Sequence, residues 1–257
     1  MISETLVSYI PLVLRPTERR CSLRKDGAHI VIIGGTSGIG LAAARRFVAH
    51  QEAVTIVGRD RSRLADALQE LGPTVRGEIA DAGDRTVMDA LFGRIGPIDH
   101  LVLAASGGAG VGPFVALEPE GLRRGFEAKF WVQWNAAQSA LPHMAQGGSL
   151  TFITAASSRL ANPGTSGLAA INGALERMTP TLARELAPLR VNAVSPGVID
   201  TAWWADKPAG LFEAASLKAP LARAGRSDEV ADAIAFLVGN AFVTGIILDV
   251  DGGLHLT

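Results

Sequence analysis

The stretch that most limits what this chain can fold into is AHIVIIGGTSGIGLAAARRFVAH, residues 28–50. A run of apolar, mostly β-branched residues meets a glycine-rich turn, and the turn opens directly into a helical segment. Gly34, Gly38 and Gly40 let the backbone turn tightly and come close to a bulky anion, which the amides and dipole of the helix start then hold. Strand, glycine turn and helix in this order predict a loop for the pyrophosphate of a dinucleotide, with Thr36, Ser37 and Ile39 completing it.

The rest of the chain repeats the alternation. Apolar runs predict strands over 28–33, 53–57, 74–80, 98–105, 149–156, 190–194 and 245–250. Amphipathic stretches between them predict helices, including a long one over about 118–145 and another running through 174–187 with Pro180 as a possible kink. Strands apolar on both faces, separated by helices, imply a parallel sheet covered on both sides. Right-handed crossovers then give a Rossmann-type, doubly wound α/β fold with seven strands in a single domain over 28–257. Within it, the irregular piece 198–226 is expected to lie over the carboxyl ends of the strands. Residues 1–27 read as an extension outside the core: a tail, an oligomer-contact arm or an upstream start. Its apolar LVSYIPLVL is followed, not preceded, by basic residues, the reverse of a signal peptide.

Composition narrows the class. The formal net charge is −1 with no long basic run, which argues against nucleic acid as a partner. No apolar run is long enough to span a membrane. One cysteine, Cys21, excludes an internal disulfide framework and leaves the cytoplasm as the default compartment. No Cys/His spacing suits a metal.

The second strand ends VTIVGRD. A carboxylate at that place would bind the 2′-hydroxyl of NAD, whereas Gly58 and Arg59 stand here. A guanidinium matches a 2′-phosphate, so NADP(H) is favoured over NAD(H); the alternative is a solvated surface arginine. Asp81, in EIADAGD, reads equally as an acceptor for the adenine amino group or as a helix cap.

GGTSGIG, RVNAVSPGVIDT (190–201) and FVTGIILDVDGG (242–253), at this spacing, resemble the short-chain dehydrogenase/reductase family from about residue 28 to the C-terminus. The resemblance implies a nicotinamide cofactor and a small-molecule substrate. It also implies a homodimer or homotetramer built on the two long helices. By the same resemblance, Ala104, Ala105 and Ser106 pass the cofactor, and Pro196, Gly197, Ile199 and Thr201 wrap its nicotinamide end.

Departures from the family pattern are concentrated where the chemistry belongs. Ile33 replaces the threonine that usually opens the glycine motif, and AASG replaces Asn-Asn-Ala-Gly, removing side chains that brace the fourth strand. The positions of the family's serine, tyrosine and lysine fall on Ala155, Leu168 and Asn172, and its helix asparagine falls on Lys129. No realignment restores the tyrosine, because Tyr9 is the one tyrosine in the chain.

Lysine and asparagine have exchanged places. One reading puts the Lys129 ammonium into the space left by the tyrosine, as acid or oxyanion stabiliser, with Asn172 on the nicotinamide ribose. Another makes Lys129 a solvated helix lysine whose stem covers Phe130 or Trp131. Thr154, Ser157 and Ser166 are candidates for orienting substrate. Trp203 and Trp204 either line an apolar or aromatic substrate pocket, pack the lid or form a subunit contact, Lys207 and Glu213 read as solvated, and Asn192 as a brace between strand ends. The functional expectation is a carbonyl/alcohol oxidoreductase with a non-standard site. Its alternatives are a catalytically silent NADP(H) sensor and a structural subunit.

Overall fold

The computed structural model describes residues 27–257. Tyr9, Cys21 and nearly all of the expected N-terminal extension lie outside the described residues.

Seven parallel strands form one sheet in the order β3-β2-β1-β4-β5-β6-β9, the doubly wound arrangement expected. The first half comprises β1 (His29–Ile33), α1 (Gly38–Ala49), β2 (Ala53–Gly58), α2 (Arg61–Leu71), β3 (Arg76–Ile79), α3 (Arg85–Ile95) and β4 (Ile98–Leu103). Alternation along β1 sends Val31 and Ile33 to one face, packed with Leu91, Phe92 and Leu175, and Ile30 and Ile32 to the other, packed with Phe47 and Ile234. Each face is therefore sealed by helices. Aspartates in the turns after β2 and β3 cap the helices that follow: Asp60 accepts from Ser62 N and Arg63 N, and Asp84 from Thr86 N and Val87 N.

The long helix expected over 118–145 is a composite. It consists of α4 (Pro119–Gly125), a π-helical turn Phe126–Trp131, α5 (Val132–Ala140) and a 3₁₀ turn Leu141–His143. β5 (Met144–Ile153) begins five residues before the expected strand, because Met144 pairs with Ile98. The register then shifts, and Gly147 takes φ +79° so that the strand can rejoin with Ser149 opposite His100. α6 (Ser166–Glu185) runs on through Pro180.

β6 (Arg190–Pro196), α8 (Ser227–Gly239) and β9 (Ile247–Val250) close the sheet. Asn192 braces this end, donating to Val243 O at 3.0 Å and accepting from Ile246 N at 3.2 Å. The segment 198–226 is more ordered than expected. It holds β7 (Ile199–Asp200), α7 (Leu211–Ser216) and β8 (Gly225–Arg226), with β7 and β8 pairing as a small separate sheet. Among the described residues no helix is long and apolar enough to cross a membrane.

Candidate functional site

The crevice lies where the strand order reverses, between β1 and β4, at the carboxyl ends of the strands. The glycine loop fills its floor. Gly34 has φ +81°, and a Cβ there would stand 2.6 Å from Ala105 N; a Cβ on Gly40 would stand 2.1 Å from Gly34 O. No side chain fits either position, so the loop presses directly on the end of β4 and leaves the start of α1 bare. Ser37 is the N-cap residue of α1 but makes no side-chain cap bond. Thr36 packs beneath Gly58, where a Cβ would sit 2.5 Å from its methyl. Ile39 packs against the core, and a Cβ on Gly38 would meet Thr201 at 3.5 Å, which brings the glycine loop and the segment after β6 together.

Arg59 is exposed just beyond β2 and makes no hydrogen bond or ion pair among the described residues. Asp81 is not the cap of α3, since Asp84 is; its Oδ1 accepts instead from Gly83 N at 3.0 Å. Ala104 N donates to Ile33 O at 2.8 Å, and Ser106 is exposed. Pro196 ends β6, Ile199 is buried, and Gly197 lies so close to Asp251 that a Cβ would stand 2.7 Å from its Cα. The glycine loop, the end of β4 and the segment after β6 thus meet at the carboxyl ends of the strands.

At the other end of the crevice the solvated reading of Lys129 fails, because the side chain is only 7% exposed. The π-helical turn places it there. One extra residue in the turn rotates the helix face, while Phe130 stacks on Trp134 with centroids 5.7 Å apart and fixes the outer side. Lys129 Nζ donates to Thr154 O at 3.0 Å. Burial pushes the amine down to about 8, against an upward pull from the Glu176 carboxylate.

Asn172, 2% exposed, donates to Leu168 O at 2.9 Å and to Ser157 Oγ at 3.2 Å. Its Oδ1 is enclosed without a partner, as is Ser158 Oγ. Leu168 and Ala155 bring no polar side chain, and Ser166 opens α6 on the exposed side.

Sequence reasoning missed three residues. Gln133 donates to Ala105 O at 3.2 Å and Ile153 O at 3.0 Å, bridging the ends of β4 and β5. The brace expected to be lost with the family's asparagines is therefore supplied from α5. Glu176, buried and bonded to Thr154 Oγ1 at 2.9 Å, and Arg159 beside it were also passed over. A charged residue on the buried face of α6, eight positions after Leu168, was the available signal.

The tryptophans pack the lid. Trp204 donates to Ile199 O at 3.0 Å and lies against Phe212, and Trp203 crosses Trp204 edge-on at 4.8 Å. Lys207 is not freely solvated: its Nζ sits 4.4 Å over the Trp203 ring. Glu213 is exposed, as expected. An apolar groove of about 500 Å³ lies instead between the segments following β4 and β5, lined by Phe114, Val115, Leu160, Pro163 and Ser166 among others.

Asp249, Asp251 and His255 bring ligand-type atoms within 4.8 Å of one another. Their oxygens are already engaged: Asp251 accepts from Gly253 N, His255 N and His255 Nδ1, and Asp249 pairs with Arg159. The cluster ties down the C-terminus.

The family profile described as Enoyl-(Acyl carrier protein) reductase matches residues 34–255. The chain is 31% identical to the 3-oxoacyl-(acyl-carrier-protein) reductase of Thermotoga maritima over 250 residues, 90% of this chain and 99% of that protein. It is 32% identical to the cyclic-di-GMP-binding biofilm dispersal mediator protein of Escherichia coli over 234 residues, 88% of this chain and 96% of that one. A crystal structure of a small-chain dehydrogenase in complex with NADPH superposes with a TM-score of 0.78 at 32% identity, covering 90% of this chain and 100% of that chain. With that sheet order, that glycine cradle and these matches, the chain belongs to the short-chain dehydrogenase/reductase family of oxidoreductases.

Proposed function

We propose that the protein is an NADP(H)-dependent oxidoreductase that interconverts a carbonyl and an alcohol, with Lys129 in place of the family's phenol. The observation that carries this reading is a buried ammonium at the end of β5 with one proton committed, to Thr154 O, and two uncommitted among the described residues. An ammonium holding spare protons in a water-poor site is a general acid, and a value of about 8 suits work near neutral pH.

The residues present fit the cofactor. Gly34 and Gly40 pack the loop onto the end of β4 with no side chain in the way, Ser37 leaves the first amides of α1 uncapped for an anion, and Arg59, unpaired among the described residues, stands where it would meet a 2′-phosphate. Asn172 Oδ1 is an enclosed acceptor in need of a donor such as a ribose hydroxyl. When bound, the reduced nicotinamide supplies hydride to the carbonyl carbon. As the carbon–oxygen π pair moves onto oxygen, Lys129 gives that oxygen a proton, and alcohol and neutral amine result. The amine regains a proton from solvent, and the reverse reaction uses it as the base. The groove beside Phe114 and Val115, which are 81% and 96% exposed, suits an apolar or aromatic substrate. We place the protein in the cytoplasm as a homodimer or homotetramer, the first on its single cysteine and the second on the family habit of pairing its long helices.

The test is single-turnover oxidation of bound NADPH against aldehydes, ketones and quinones, in the wild type and in Lys129→Met. The variant should lose about 10²–10⁴-fold in rate while still binding NADPH. An equal rate in both proteins removes Lys129 from the chemistry. A second reading, a silent NADP(H)-binding sensor, is favoured by the apolar Ala155 and Leu168 and by the relative named for ligand binding and biofilm dispersal. It predicts tight NADPH binding with no turnover on any compound.

A further inference from the structure

Glu176 is a carboxylate enclosed in the core, 7% exposed, and the chemistry above does not use it. Carboxylates are not buried without donors and counter-charge. Its Oε1 accepts from Thr154 Oγ1 at 2.9 Å, and its Oε2 lies 3.7 Å from Arg159 Nε. Thr154 is also the residue whose carbonyl accepts from Lys129 Nζ at 3.0 Å. Arg159, partly exposed, forks onto Asp249 through Nη1–Oδ2 at 3.0 Å and a second bond from Nη2 to Oδ1. A continuous line of polar groups thus runs from the enclosed amine through Thr154 and Glu176 to Arg159 and Asp249 at the rim.

We propose that Glu176 is the positioning carboxylate of this site: held by Thr154, it fixes where the Lys129 amine rests and keeps that amine in its proton-donating form. The proposal rests on the reading of Lys129 given above.

The surroundings leave this role to Glu176. Burial weakens the amine's hold on its proton, and the Glu176 charge opposes it. β5 (144–153) and α5 carry no ionisable side chain, and Asp99 and His100 lie at the opposite end of β4. Glu120, Arg123, Arg124 and Glu127, preceding Lys129 on α4 and the π-turn, are exposed. Arg159 and Asp249 stand beyond Glu176, so they act on the amine through it.

The chain has four lysines, Lys25, Lys129, Lys207 and Lys218, so protein labelled with ¹³C at lysine Cε gives a spectrum that Lys129→Met assigns directly. The full chain is titrated from about pH 6 to about pH 11, with and without NADPH. Glu176→Gln keeps the shape and the bond from Thr154 but removes the charge. It should lower the Lys129 midpoint by about one pH unit or more and leave Lys207 and Lys218 in place. Glu176→Asp, with the charge one methylene further away, should fall between. Wild-type and variant midpoints that coincide overturn the proposal, and should Glu176→Gln fail to fold, a wild-type midpoint in Glu176→Asp does the same. The titration needs no turnover. A shifted midpoint in a protein inactive on every substrate keeps the Glu176 assignment and removes the catalytic role of Lys129. Turnover that depends on Lys129 with an unmoved midpoint removes Glu176 alone.

Discussion

Replacing Lys129 by methionine should change how stability depends on pH, by an amount the structure sets. Burial holds the folded amine at about 8, against 10.5 for an ordinary lysine, with Glu176 pulling the other way. Between those two values the unfolded chain binds more protons than the folded one, so raising the pH through the window favours the fold. The penalty for enclosing the ammonium is fully present below about pH 8 and relieved by 10.5. At about 1.4 kcal/mol per pH unit, the wild type gains about 3 kcal/mol across the window. Methionine fills much the same volume and does not titrate, so the variant gains nothing there. For a chain of this size about 3 kcal/mol corresponds to a difference in Tm of roughly 6–12 °C. The measurement is thermal unfolding of both proteins from neutral to alkaline pH, plotted as the difference between them so that all other titrating groups cancel. A difference that stays flat, or that moves in favour of methionine as the pH rises, refutes an enclosed amine at this position.

Three further outcomes follow from the crevice. Arg59→Ala should weaken NADPH binding by about 10–100-fold, the loss of a charge-assisted contact, and leave NADH binding unchanged in parallel fluorescence titrations. Gly40→Ala should abolish nucleotide binding, since its Cβ would stand 2.1 Å from Gly34 O, and cost about 1–3 kcal/mol in denaturant unfolding. Gln133→Leu should cost about 1–3 kcal/mol by orphaning Ala105 O and Ile153 O, and hydrogen exchange should rise at the ends of β4 and β5.

The sheet was legible because its signals are local. Apolar runs such as HIVII and a turn that only glycine can make leave one topology for seven strands. What escaped depends on a single residue of phase or on distant partners. A π-turn adds one residue to a helix, and no periodicity over 118–145 reveals it, yet it decides that Lys129 faces inward. β5 began early because Met144 found Ile98 across a register shift, a pairing invisible within MAQGG. Gln133 reads as an ordinary helix residue until the carbonyls of Ala105 and Ile153 are seen beneath it. The glycines, by contrast, were readable because the tight turn they make is set by their immediate neighbours.

The altered residues at the site make physical sense as a set. Leu168, Asn172 and Glu176 lie at successive turns of one face of α6, and the polar two of them reach the segment after β5, Asn172 at Ser157 Oγ and Glu176 at Thr154 Oγ1. Without a phenol to anchor it, a lysine at position 172 would have Leu168 as its neighbour one turn back. From position 129, the amine reaches Thr154 O, and Thr154 in turn presents its hydroxyl to Glu176. Asparagine at 172 then uses its amide on Leu168 O and Ser157 Oγ and turns an acceptor inward. Decay of an unused site predicts buried polar groups replaced by apolar ones, since an unpaired charge in the core is costly and nothing would preserve it. Here two apolar replacements, Ala155 and Leu168, accompany a buried amine and a buried carboxylate that answer each other through one threonine. Enclosing both charges raises the cost of folding, and the proton-donor role proposed for Lys129 would account for their presence.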